Sequence, residues 1–383
     1  MPWEIRVTLM ITLMTLPFAL YLLFRVQSAL KSLTNLPTKV RYFIVFFPFF
    51  WYLLLPAYYL IMAVIGGNQN LFIRNPALGW PDYLVLFPFW LGLIVILESI
   101  SLFLTIDLAN LVLRFLKKRD HVLWDKMQAY AKLGIIVLLV FYACIRGYMD
   151  TYNVRMEFKS ITEQVPPALQ NLKLAFFADV QIDRYTQAKK LEQFKSILAG
   201  EKPDFIFFAG DLVTSGKKYT RQATNLMGAI RAENRIAVLG DHDYWSDADR
   251  IPTELQQNGW IFLQNEHRII EHAGAKLLVT GVTHIYSQKI NEDKLRKLLQ
   301  GAPASDYKIL LVHQPAEFIV NLAAEFGYQL MLAGHTHGGG IVGHFWGMPL
   351  TPSRFETRYF RGFFAVDQLK LVVTNGIGNT LSP

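Results

Sequence analysis

Cysteine is almost missing from this chain: Cys144 is the only one in 383 residues. A single thiol forms no intramolecular disulfide and cannot build a thiolate metal site, so covalent staples and zinc knots are excluded. Charged residues are also scarce, at 18%, against roughly a quarter in ordinary soluble domains. Hydrophobic residues make up 52% and the mean hydropathy is +0.24, which points to a lipid-embedded part. Acids are thinnest in residues 1–150, where seven Asp or Glu stand against 13 Lys or Arg, compared with 23 and 25 in the rest. Most of the +8 net charge therefore lies in the apolar half. A pI of 9.3 then reflects membrane topology and argues against a nucleic-acid partner.

Residues 1–150 read as an all-α membrane domain with four spans near 7–27, 42–65, 83–106 and 129–149, each near the length that crosses a bilayer. The first run is long for a signal-peptide core, has Glu4 and Arg6 in its flank, and lacks a small-residue cleavage site, so it reads as an uncleaved anchor. Glu98 and Asp107 fall in or just beyond the third span, where a charge needs a partner or the interface. A helix-packing contact is favoured over a polar functional site, with Lys132 or Arg146 as the candidate partner cation. Arg25, Lys31, Lys39 and Arg41 follow the first span, and Arg114, Lys117, Lys118, Arg119 and Lys126 precede the fourth, whereas the loop between the second and third holds only Arg74. Placing the two basic loops in the cytoplasm puts everything after about Asp150 outside it.

Residues 151–171 read as an extended connector ending in Pro166 and Pro167. From Leu172 onward short apolar runs alternate with helical patterns such as KKLEQFKSILAG and EDKLRKLLQG, the signature of an α/β layered domain over residues 172–383. Five of those runs stop at an acid or a histidine: LAFFAD, FIFFAGD, IAVLGD, ILLVH and LMLAGHTH. Continuous apolar runs suit strands buried on both faces, whose carboxyl ends gather active sites. The strand ends would then present Asp179, Asp211, Asp241 with His242, His313, and His335 with His337. Carboxylates and imidazoles suit Mn²⁺, Fe²⁺ or Zn²⁺. Two such ions about 3.5 to 4 Å apart can share a carboxylate, generate a nucleophile near neutral pH and clamp a phosphoryl group.

In that order the motifs DVQ, GD, GDH, a lone histidine in LLVHQP, and GHTH resemble those of the calcineurin-like metallophosphoesterases, with the membrane-anchored bacterial type as the nearest resemblance. The resemblance implies a sandwich of two mixed β-sheets flanked by helices and phosphodiester or pyrophosphate hydrolysis by a metal-bridging hydroxide. It also implies that Asp211 bridges two divalent ions, with Asp179 and His337 on the first and Asp241, His313 and His335 on the second. His242 becomes the non-ligand histidine that stabilises charge or protonates the leaving oxygen. The closing run LKLVVTNGIGNT resembles the family's final strand and glycine turn.

Two positions depart from the pattern. Gln181 stands where the family has a histidine, leaving the first ion loosely held, water-substituted or absent, with Asp183 a candidate to compensate. Asp241 replaces an asparagine, favouring the cation and weakening attraction for a phosphate anion. Arg354 and Arg358 are candidate phosphate contacts, as are Arg361 and the Lys217, Lys218, Arg221 group, although solvated charges are the more ordinary reading. His267, His272 and His284 read as surface or loop residues, and His344, in the run HFWGMP, is evenly balanced. The expected protein is an integral membrane enzyme of the bacterial inner membrane, its catalytic domain extracytoplasmic, with a phosphate-containing, lipid-linked compound as the candidate substrate. The alternatives are a catalytically weak or inactive membrane sensor or scaffold, which Gln181 supports, and a transporter or channel with an appended domain.

Overall fold

The computed structural model describes residues 3–65, 78–115, 121–186, 188–340, 342–345 and 348–379. The chain divides into two compact units. The first contains four long helices: α1 (Trp3–Leu33), α2 (Thr38–Val64), α3 (Phe87–Phe115), entered through a π-helical turn at Asp82–Leu86, and α4 (His121–Tyr152). All four are long and apolar enough to cross a membrane. Contacts inside this unit follow from its few polar groups. Tyr52 of α2 stacks on Phe89 of α3, with ring centroids 5.1 Å apart and planes within 10°, and its hydroxyl lies 3.0 Å from Thr15 Oγ1 of α1. Asp107 of α3 accepts hydrogen bonds from Arg25 Nε at 2.6 Å, Lys132 Nζ at 2.6 Å and Tyr21 Oη at 2.5 Å. The expected partner of Asp107 is therefore present, and the carboxylate ties α1, α3 and α4 together.

The second unit is the α/β layered domain. A four-stranded sheet runs β1 (Leu174–Phe177), β2 (Phe205–Phe208), β3 (Asn234–Ala237), β4 (Ile261–Phe262), with every pairing parallel. A six-stranded sheet has the order β11-β12-β8-β7-β6-β5, comprising β5 (Glu266–His272), β6 (Ala275–Val282), β7 (Tyr307–Val312), β8 (Leu330–Ala333), β11 (Gly362–Val366) and β12 (Leu369–Val373). Its centre is parallel and its two edges are closed by antiparallel hairpins. Alternation along β2 explains how the layers stack. Phe205 and Phe207 point between the sheets, where they meet Leu277, Ile309 and Leu332, while Ile206 and Phe208 point outward to helix residues such as Leu191, Phe194 and Met227. All four are fully buried, so a strand covered on both faces reads as an unbroken apolar run.

The helical patterns form α5 (Ala188–Glu201) and α6 (Glu292–Gln300). The latter is capped by Asn291, whose side chain accepts from the Lys294 amide at 2.9 Å. The stretch after α4 is less of a linker than its prolines suggest. Leu169 is buried among the residues between the sheets with Ile161 and Val165 against it, and Gln193 Oε1 accepts from the Val154 amide at 3.1 Å. Residues Thr151 onward accordingly belong to the α/β unit, whereas Ile341–Leu350 groups with the helical unit. That stretch includes most of HFWGMP as the hairpin β9 (Gly343–Phe345) and β10 (Met348–Leu350), of which Trp346 and Gly347 lie outside the described residues.

Candidate metal centre

All five runs that end in an acid or a histidine are strands, and their parallel alignment delivers the following loops to one edge. Asp179 follows β1, Asp211 follows β2, Asp241 and His242 follow β3, His313 follows β7, and His335 and His337 follow β8. Asp179, Gln181, Asp211, Asp241 and His313 are almost wholly buried. Tight turns bring them together. Asp179, Gln181, Asp211, His335 and His337 all adopt left-handed backbone conformations, with φ between 47° and 73°, which non-glycine residues rarely hold without a local reason. Gly240 is needed for a different reason: a Cβ there would lie 2.2 Å from both the Asp211 amide nitrogen and its Oδ1.

The side chains form two groups, Asp179, Asp211 and His337 in one and Asp241, His313 and His335 in the other, with the candidate ligand atoms of each within 4.8 Å of one another. His313 lies between them. Its Nδ1 is 2.7 Å from the Ala209 carbonyl, which fixes that nitrogen as the N–H and turns Nε2 toward Asp211 Oδ2 at 3.4 Å and Asp241 Oδ2 at 3.3 Å. His335 Nδ1 is 3.0 Å from Asp241 Oδ2, and His337 Nε2 is 3.8 Å from Asp179 Oδ1.

Electrostatics show what is short in this pocket. Burial drives the Asp179 carboxyl up to about 7, with the neighbouring Asp211 adding to the shift. His337 is pushed down to about 3, chiefly by burial. Burial works against protonation of His313 too, yet Asp211 and Asp241 outweigh it and hold the imidazole well above its usual range. His335 rises to about 9 for a similar reason, burial being overcome by its hydrogen bonds to Asp241 and Glu356. The carboxylates thus demand positive charge. Gln181 Oε1 and His313 Nε2 are buried without a hydrogen-bond partner among the described residues, so the donor set fits divalent cations.

Gln181 does enter the site. Its Nε2 donates to Asp211 Oδ2 at 2.9 Å. Asp183 is not in either group: it accepts from Thr214 Oγ1 at 2.8 Å and from the Tyr185 and Thr186 amides at 2.6 and 3.0 Å, which shapes the loop. His242 is partly exposed, its amide donates to Asp211 Oδ1 at 2.8 Å, and its Nδ1 lies 2.5 Å from the Thr214 carbonyl. Arg358 lies over the Tyr359 ring at 4.8 Å and donates to that hydroxyl at 2.6 Å, while Arg354 is exposed on the turn Pro352–Phe355. Of the three histidines expected at the surface or in loops, His284 is in a loop, whereas His267 and His272 are half-buried residues of β5. His267 lies in β5, 2.8 Å from Thr280 Oγ1 and 2.9 Å from the Leu298 carbonyl, and His284, although in a loop, is buried against Phe318.

Four further residues shape the centre. Asp243 is wholly buried and accepts from the amides of Asp211 at 2.8 Å, Leu212 at 2.7 Å and Gly240 at 3.2 Å, cross-tying the β2 and β3 loops. Gln314 Nε2 and the Tyr286 amide donate to Asp241 at 2.7 and 2.6 Å. Glu356 accepts from Tyr286 Oη at 2.5 Å and lies 2.9 Å from His335 Nε2. Asp243 had a faint signal in the sequence, an acid two residues after a candidate ligand, but a carboxylate in the first turn of a helix is ordinary.

Residues 172–339 match the family described as calcineurin-like phosphoesterase. The chain is 25% identical over 279 residues to an uncharacterized metallophosphoesterase of Campylobacter jejuni, covering 71% of each protein. It is 25% identical over 262 residues to a zebrafish (Danio rerio) transmembrane protein with metallophosphoesterase domain, covering 66% of this chain and 58% of that one. It is also 24% identical over 244 residues to the Escherichia coli protein named phosphodiesterase YaeI, covering 62% of this chain and 84% of that one.

Proposed function

Residues 172–339 are a calcineurin-like phosphoesterase domain, and on that premise we propose that the chain is a membrane-anchored, metal-dependent hydrolase of phosphodiesters or pyrophosphates. The observation that carries the proposal is the pair of adjacent buried ligand groups at the carboxyl edge of the strands. Asp179, Asp211 and His337 would hold one ion and Asp241, His313 and His335 the other, with Asp211 shared. Such a pair, when bound, supplies a hydroxide nucleophile and offsets charge on the phosphoryl group. The chain's own residues do the rest. Asp243 fixes the two loops, the Asp211 carboxylate is aimed by the His242 amide and Gln181, and the Ala209 carbonyl sets the tautomer of His313. The Thr214 carbonyl takes the Nδ1–H of His242, so Nε2 is the atom that delivers a proton to the leaving oxygen.

Anchoring by four apolar helices supports a lipid-linked phosphate as substrate, and the basic loops support an extracytoplasmic active site. The second reading, a scaffold with a partial metal site, draws on the hydrogen bond that Gln181 makes where an additional ligand would stand. Hydrolysis of bis-p-nitrophenyl phosphate by the purified chain separates the two. The enzyme reading expects Mn²⁺-stimulated turnover that falls at least about 100-fold in Asp211→Asn. Absence of turnover, or turnover indifferent to that substitution, removes it.

A further inference from the structure

Four aromatic rings run as an unbroken strip out of the candidate centre. His242 meets Trp245 edge-on with centroids 5.1 Å apart, Trp245 lies parallel to Tyr286 at 6.1 Å with 3° between the planes, and Tyr286 meets His335 edge-on at 5.3 Å. The two middle rings are 49% and 45% exposed. Their polar tips are already engaged: the Trp245 indole N–H donates to Ser287 Oγ at 2.8 Å and the Tyr286 hydroxyl donates to Glu356 at 2.5 Å. Tyr286 is stacked by Trp245 and has Lys289 over its ring, so what the strip offers a ligand is chiefly the exposed indole of Trp245, held by Tyr286 and by its own hydrogen bond so that little side-chain freedom is lost on binding. Positive charge lies alongside. Lys289 Nζ is 5.7 Å from the centroid of Tyr286, and Lys217, with a side chain 76% exposed, lies 3.9 Å from Asp247, two residues beyond Trp245.

We propose that this strip is the leaving-group subsite and that the leaving group is a nucleoside phosphate. The proposal rests on the phosphoesterase reading above, because the group beside His242 is the one that receives its proton and departs. A flat base gains from the parallel plane of Trp245, whereas an alkyl chain gains nothing from that alignment. The phosphate of the departing nucleotide has Lys217 and Lys289 as its counter-charges. In the hydrolysis, water is added across one phosphorus–oxygen bond. Its hydroxide bonds to the phosphorus that stays with the remainder of the substrate, the bond to the nucleotide oxygen breaks, and that oxygen takes the proton through His242, with no change in oxidation state.

The test compares two substrates on the full-length chain in detergent with Mn²⁺: an octyl ester of a nucleoside 5′-diphosphate, and the same octyl diphosphate carrying a methyl group in place of the nucleoside. The expected kcat/KM ratio favours the nucleoside ester by about tenfold or more. Trp245→Ala brings that ratio to within about twofold of unity and Trp245→Phe keeps most of it, since phenylalanine retains a stacking face. A ratio is unaffected by a misfolded fraction. Equal rates for the two esters in the natural protein, or a preference that Trp245→Ala leaves intact, overturn the proposal. So does a Trp245→Ala defect confined to vesicle-borne substrate, which would assign the strip to the bilayer. If neither ester is hydrolysed the phosphoesterase reading fails, and calorimetric titration with uridine and adenosine 5′-monophosphate decides the subsite separately. Binding weakened about tenfold by Trp245→Ala supports it, and no binding sinks it.

Discussion

Gln181 occupies the position at which the first ligand group is one side chain short. Its amide nitrogen is engaged with Asp211 and its oxygen is buried without a partner among the described residues. An imidazole in its place would add a strong neutral ligand to Asp179, Asp211 and His337. Gln181→His is therefore expected to tighten the first ion by about 10-fold or more, and a calorimetric Mn²⁺ titration should show a second binding step that the natural protein shows weakly or not at all. An unchanged isotherm would mean that Gln181 is not what limits the site. The residues of both ligand groups were legible in the sequence because each lies at or just after the end of a short, continuously apolar run, while their division between two ions came from the family resemblance. Glu356, Tyr286 and Trp245 were not. Tyr286 and Glu356 sit in turns and Trp245 in the short helix Asp241–Asp247, none of which shows a telling periodicity, and their roles depend on pairings such as Tyr286 with Glu356, 70 residues apart, which only the closed sandwich creates. Asp183 was a candidate in the sequence, but its carboxylate is held by its own turn and by Thr214 rather than by the ligand groups.

Among the elements, the three helices joined at Asp107 carry a prediction that separates packing from function. Two cations share this one carboxylate, and the Asp107 and Lys132 side chains are 17% and 8% exposed. Removing the carboxylate leaves Arg25 and Lys132 facing each other with a shared loss of hydrogen bonds. Asp107→Asn should lower the stability of the helical unit by roughly 2–4 kcal/mol, read as a drop in Tm in detergent, while phosphoester turnover per folded molecule stays the same. Loss of turnover with an undisturbed Tm would instead make Asp107 part of a polar functional site within the membrane. Element order was readable along the α/β unit, since runs such as LAFFAD or LMLA are too short and too continuously apolar for helices. Strand order was not. The crossing that places β12 between β8 and β11 is set by which faces remain to be covered once the parallel centre has formed, and no local pattern encodes that.

For the molecule as a whole, the expected orientation of the α/β unit depends on the number of spans. Four helices long enough to cross, with the basic loops between the first and second and between the third and fourth, predict that a reporter fused after Pro383 is active only outside the cytoplasm. A cytoplasmic signal would overturn the reading of four spans with both basic loops inside and reverse the expected compartment of the substrate. The left-handed residues around the ligands bear on the same molecule in another way. Each costs on the order of 1 kcal/mol relative to a relaxed backbone, and five together approach the low end of the roughly 5–15 kcal/mol by which a domain is stable. Chemistry and heat resistance therefore pull against each other in these loops. A laboratory selection for thermal endurance alone would relax them first, through glycine or asparagine, and the hardiest survivors would be those that had given up their metals.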